Sequence, residues 1–108
     1  MIQIALFHSH YSEEHLEAVK AEMQALGAPT IRAFWSEMHG IWLAVEGCHR
    51  LRAAAELGLT PNIEELSIDG TITVQVDEMD EDVEALDLML ELQDQASRTT
   101  ILTFGGPR

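Results

Sequence analysis

An apolar run, Ile41-Trp42-Leu43-Ala44-Val45, stops at Glu46-Gly47 and is followed at once by Cys48, His49 and Arg50. An Ala-, Leu- and Glu-rich stretch comes next and ends at Gly58. The order is strand, glycine turn, helix, and it leaves the fold little freedom at this point. The first amides of such a helix project from the end of a strand. They have no partner within the helix and sit at the positive end of its dipole, so an anion docks there. The only cysteine of the chain lies at this junction, beside Arg50, Arg52 and, when protonated, His49.

The flanking segments read as alternating elements. Ile2 to Phe7 is a predicted strand, with Ile2, Ile4 and Leu6 on one face. Ser12 is the expected N-cap of a helix from Glu13 to Leu26, in which Leu16, Val19, Met23 and Leu26 form one apolar stripe. Gly27 ends it and Pro29 blocks its continuation. Thr30 to Trp35 and Ile41 to Val45 form a predicted hairpin around Glu37-Met38-His39-Gly40, with Trp35 and Trp42 facing across it. The second helix runs from Cys48 to Leu57.

Thr60-Pro61 reads as an N-cap and first helical residue, predicting a helical turn through Glu65. Asp69-Gly70 marks a turn into a β-branched strand, Thr71 to Val76. Asp80 is expected to cap a helix reaching Gln93, with Val83, Leu86 and Leu90 on one face. Thr99 to Phe104 is a last strand. The expectation is a single α+β domain over residues 1–104, a mixed sheet with packed helices, followed by a loose tail, 105–108.

Composition narrows the function classes. At 108 residues the chain is large enough for one core. It holds no apolar run of membrane-spanning length, and its first residues lack the basic start of a signal peptide. One cysteine forms no internal disulfide, which suits a reducing cytoplasm. Nineteen acidic against six basic residues give a formal charge of −13, so DNA binding by this chain alone is not expected. Charge is also uneven: four of the six basic residues lie between positions 20 and 52, whereas Asp69 to Asp94 holds no Lys or Arg. That acidic half is either a solvated face or an address for a basic protein partner.

Gly-Cys-His-Arg after a strand resembles the signature of sulfiredoxin, and "EGCHRLRAAAELGL" resembles the phosphate-binding box of the ParB N-terminal domain. The two belong to one superfamily, and the resemblance runs from about Ser12 to Gln93. It implies a ParB/sulfiredoxin-like fold and binding of ATP or another NTP with Mg²⁺. Gly47, Cys48, His49 and Arg50 would then receive the phosphates. Superfamily members include ATP-dependent reductases, CTP-binding DNA-segregation proteins, a free serine kinase and proposed nucleases.

The chain also departs from the pattern. Sulfiredoxin binds ATP partly through a lysine, a serine and a threonine on its first helix; here His15, Ala18 and Glu22 stand in those places. His10 or His15 is then the candidate to replace the lysine as a phosphate contact. Nothing resembling the helix-turn-helix of ParB follows Gln93, which speaks against the DNA-segregation activity.

Each candidate has two readings. Cys48 is either a thiolate nucleophile, acidified by the helix N-terminus and its basic neighbours, or an inert small residue in the core. Arg50 either meets an anion at the helix start or is a solvated surface cation; a positive charge at that end of a dipole favours the former. Glu46 replaces a glycine of sulfiredoxin and is either a Mg²⁺ ligand or general base, or a water-facing glutamate. His8, His10 and His15 could bind a divalent metal if they converge, but their spacing matches no established metal motif. Three functions follow: a nucleotide-binding domain, with phosphoryl transfer or hydrolysis left open, a non-catalytic interaction module using the acidic surface, or a sulfiredoxin-like reductase.

Overall fold

The structure, a computed structural model, describes residues 2–7, 11–76 and 79–105. Its centre is a five-stranded mixed sheet. The contributing strands are β1 (Ile2–Ala5), β2 (Thr30–Ser36), β3 (Ile41–Ala44), β4 (Asn62–Glu65) and, numbered last in the chain, β7 (Ile101–Phe104). Their spatial order is β4-β2-β3-β1-β7, which makes β4 and β7 the two borders. β1 is parallel to β3 and β4 is parallel to β2, while β2 with β3 and β1 with β7 are antiparallel.

Alternation along the strands feeds two cores. Ile4, Ile31, Ala44 and Phe104 point to one face, where α1 (Glu13–Leu26) and α2 (Cys48–Leu57) cover them with Leu16, Met23, Leu51, Ala53 and Ala54. Ala5, Phe34, Ile41, Leu43 and Val45 point to the other. There they meet α3 (Ala85–Gln95) and a separate antiparallel hairpin of β5 (Thr71–Val76) and β6 (Met79–Glu84). The molecule is thus α+β, as expected.

Local chemistry explains most element ends. Ser12 caps α1, its Oγ accepting from the His15 amide at 3.3 Å, with Glu13 and Glu14 in the first turn. The α1 stripe is only partly buried: Leu16 and Met23 are covered, whereas Leu26 is 77% exposed. The β2–β3 hairpin turns at Glu37–Gly40 as expected. Trp35 pairs with Trp42 in register, edge to face, with ring centroids 5.1 Å apart. At the end of α2, Gly58 adopts a left-handed conformation and the Leu59 amide reaches back to the Ala54 carbonyl at 2.9 Å.

Two expectations are corrected. Residues 62–65 form strand β4 instead of a helical turn, because Asn62 to Glu65 find a parallel ladder with Thr30 to Ala33 of β2. A local Thr-Pro helix signal yields to a partner 32 residues away.

The second correction concerns Asp80, which caps no helix: Met79 to Glu84 pair with β5, and Asp82 accepts a 2.6 Å hydrogen bond from the Thr73 hydroxyl. The helix therefore starts at Ala85 instead of directly after Asp80. Its buried face is Ala85, Leu88 and Leu92, while Leu86 and Leu90 are exposed. Leucine on alternate positions from 86 to 92 offers more than one stripe, and the later start selects the face that reaches the sheet. The expected tail begins at Gly105, the last described residue.

Candidate phosphate cleft at the start of α2

β1 and β3 lie side by side and parallel, so their carboxyl ends open on the same border of the sheet. Beyond them is a cleft of about 1130 Å³. Its walls are α1 (His15, Val19, Glu22, Met23, Leu26), the β3–α2 junction from Val45 to Arg50, Arg32 of β2, and Thr73 to Gln75 with Asp80 of the β5–β6 hairpin. Ligand sites in sheets with parallel strands favour this position, outside the carboxyl ends.

Gly47 makes the junction. Its backbone is left-handed (φ +74°, ψ +32°), and a Cβ there would stand 2.6 Å from Ile31 Cδ1. Both the torsion and the close approach require glycine. α2 begins immediately after it, with no side-chain cap and no acidic residue in its first turn. Within the helix no acid offsets the positive field of this end; the carboxylate of Glu46 stands just before Gly47.

The histidines lock the neighbouring helix start. His49 Nε2 accepts a hydrogen bond from the Ser12 amide at 3.0 Å, which makes that nitrogen the unprotonated one and joins the start of α2 to the cap of α1. The His15 ring stacks on His49 with centroids 4.2 Å apart. His15 and His49, two of the four histidines singled out in the sequence, therefore meet beside the cleft. His8 and His10 lie outside the described residues. Among the described residues no group of three or more His, Cys, Asp or Glu is arranged to hold a metal ion.

Glu46 is the electrostatic pivot. Its Oε1 accepts from Arg32 Nη2 at 2.9 Å, and its Oε2 lies 3.7 Å from Arg50 Nη2. The Arg32 hydrogen bond, helped by the charges of Arg32 and Arg50 and opposed by partial burial, holds the Glu46 carboxyl below the ordinary glutamate value. The same hydrogen bond raises Arg32 above its ordinary value. A carboxylate stabilised in this way is a weak general base, so this geometry offers no support for the catalytic role considered for Glu46. Both its oxygens face guanidinium groups instead of an open metal position.

Arg50 is half-exposed; its Nη1 also donates to the Thr30 carbonyl at 3.3 Å. Arg32 escaped the sequence reading. The same Nη2 that meets Glu46 donates to the Thr73 carbonyl at 2.9 Å, joining the sheet to the β5–β6 hairpin. A signal was available, since a cation between buried Ile31 and Ala33 in an apolar strand seldom lies without a partner. Cys48 is only 6% exposed and belongs to the core under α2, although it also lines the floor of the cleft.

Set against known proteins, the chain matches no family model, no curated protein and no solved structure. Among the described residues, no helix is long and apolar enough to cross a membrane. The molecule is an α+β domain with a cleft at a strand–glycine–helix junction, lined by Arg32 and Arg50 together with Glu22, Glu46 and Asp80.

Proposed function

We propose that this domain binds a phosphorylated ligand, a nucleotide such as ATP or another NTP, with its phosphates at the start of α2. The observation that carries the reading is the convergence of Arg32, Arg50, His15 and His49 around the left-handed Gly47 turn, on a cleft of about 1130 Å³. Such a cleft is ample for a nucleotide, whose sites typically occupy roughly 300–1,000 Å³. Val19, Met23 and Leu26 of α1, with Val74 of the hairpin, add apolar lining to the same cleft as the arginines, suited to the flat face of a base. The resemblance of residues 46–59 to a phosphate-binding box points the same way. Mg²⁺ accompanying a triphosphate would be held mainly through phosphate oxygens and water.

The proposal is binding, without a committed catalytic step. Glu46 is a weak base between two arginines, and a nucleophilic role for Cys48 would require its buried thiol to become accessible. A second reading, an interaction module without a ligand, is favoured by one observation: Glu46 already pairs with both arginines of the cleft.

Calorimetric titration with ATP, CTP and ADP, with and without Mg²⁺, separates the two. Nucleotide binding that Arg50→Ala weakens at least tenfold supports the first reading. Saturating nucleotide should then also raise thermal stability, by about 2.7 kcal/mol at a hundred times the dissociation constant. Affinity unchanged by Arg50→Ala, or no binding at all, defeats it and leaves the interaction module.

A further inference from the structure

We infer that Glu46 is an internal anion that occupies the cleft's arginines in the absence of ligand, and that a phosphate group binds by taking Arg50 from it. The inference rests on the phosphate-binding reading and specifies how that site is regulated.

The two arms of the Arg32–Glu46–Arg50 triad are unequal. On the Arg32 side the contact is a 2.9 Å hydrogen bond, and the guanidinium is anchored a second time at the Thr73 carbonyl. On the Arg50 side the separation is 3.7 Å, the second anchor, at the Thr30 carbonyl, is longer at 3.3 Å, and the arginine side chain is half-exposed. Charge-assisted hydrogen bonds are strong at about 2.7–2.9 Å, so the Arg50 arm is the one readily given up. Arg50 also lies on α2 itself, in its first turn, where an anion accepting from the helix amides would meet its guanidinium. The exchange leaves Glu46 on Arg32 and transfers only Arg50 to the ligand.

A ligand must therefore outcompete a carboxylate that is already in place and ionised. Simple monoanions gain little from that exchange. A di- or triphosphate gains more, because neighbouring phosphoryl oxygens engage the amides of α2 and Arg50 together. The negative charge of Glu46 also repels whatever anion arrives. Glu46 thus raises the threshold for binding and selects ligands carrying linked phosphates.

The test is titration of wild type, Glu46→Gln and Glu46→Ala with inorganic pyrophosphate, first without Mg²⁺ and then with it, with Arg50→Ala as control. Expected is a gain: both Glu46 variants bind pyrophosphate about tenfold more tightly than wild type, equivalent to about 1.4 kcal/mol, and Arg50→Ala binds more weakly than wild type. A gain in affinity cannot arise from damage to the fold, and agreement between Gln and Ala assigns it to charge. Wild-type binding with unchanged or weaker affinity in both variants overturns the inference while the phosphate reading stands. A loss confined to the Mg²⁺ titration also overturns it, making Glu46 a metal ligand. If no form binds pyrophosphate, the phosphate reading itself fails.

Discussion

The two faces of the central sheet are covered in different ways. One is closed by a pair of helices, α1 and α2, whose buried side chains share a core with Ile4, Ile31 and Phe104. The other is closed by one helix, α3, and a two-stranded hairpin, and it carries the cation-free acidic segment from Asp69 to Asp94. The cleft opens at the border between these layers, where Arg32 holds Glu46 of one side and Thr73 of the other. The helical face supplies the start of α2, and the hairpin face supplies a wall held by the apolar core it shares with Phe34 and Leu43 and by the Arg32–Thr73 hydrogen bond.

The sharpest way to break this contrast is to hollow each layer in turn. Leu51, fully buried under α2, should cost about 3–5 kcal/mol on truncation to Ala, while Leu88 of α3, slightly exposed, should cost nearer ~2 kcal/mol. Urea unfolding of both variants checks this. Equal losses would mean that the hairpin face is packed as firmly as the helical one.

The two ends of α2 give the next effect. Gly47 and Gly58 are both left-handed, but a Cβ at Gly58 meets nothing within 4 Å, whereas at Gly47 it meets Ile31 Cδ1 at 2.6 Å. Ile31 is fully buried and has little room to retreat. Gly58→Ala should therefore cost about 1 kcal/mol for the torsion alone, and Gly47→Ala about 2–4 kcal/mol once overpacking is added. Similar losses by denaturant titration would remove the reason given for glycine at the cleft.

The smallest effect tests the seam. Because the carboxyl of Glu46 is held below its ordinary value of 4.5, its pairing stabilises the fold fully above that pH. The contribution is lost as pH falls through the lower folded-state value. Wild type should exceed Glu46→Gln by up to about 1 kcal/mol at pH 7, and this difference should shrink towards zero in strong acid. Using the difference cancels the many other carboxylates. A gap that widens on acidification would contradict the direction assigned to Glu46.

The junction at Gly47 was legible because its signals are local: an apolar strand, a glycine, then helix formers up to Gly58. The Trp35–Trp42 hairpin was legible for the same reason. β4 and β6 were not, because Thr60-Pro61 and Asp80 carry good helix-start chemistry that tertiary pairing with β2 and β5 overrides. Likewise Gly47, His15, His49 and Arg50 could be picked out as candidates, but not the capture of Glu46. That depends on Arg32, fourteen positions away, which enters the cleft only because β2 lies beside β3. Side-chain type foretold which residues could meet an anion, and strand order decided which of them already had a partner.

The border strand β4 carries a consequence for how the molecule meets its own copies. An open strand border invites another chain to add to the sheet. Here the strand is only four residues long, follows Pro61, and ends in the exposed pair Glu64 and Glu65. Two copies aligned border to border would set these carboxylates against one another, on a chain already carrying a formal charge of −13. Like-charge repulsion thus opposes growth of the sheet beyond its five strands at this border.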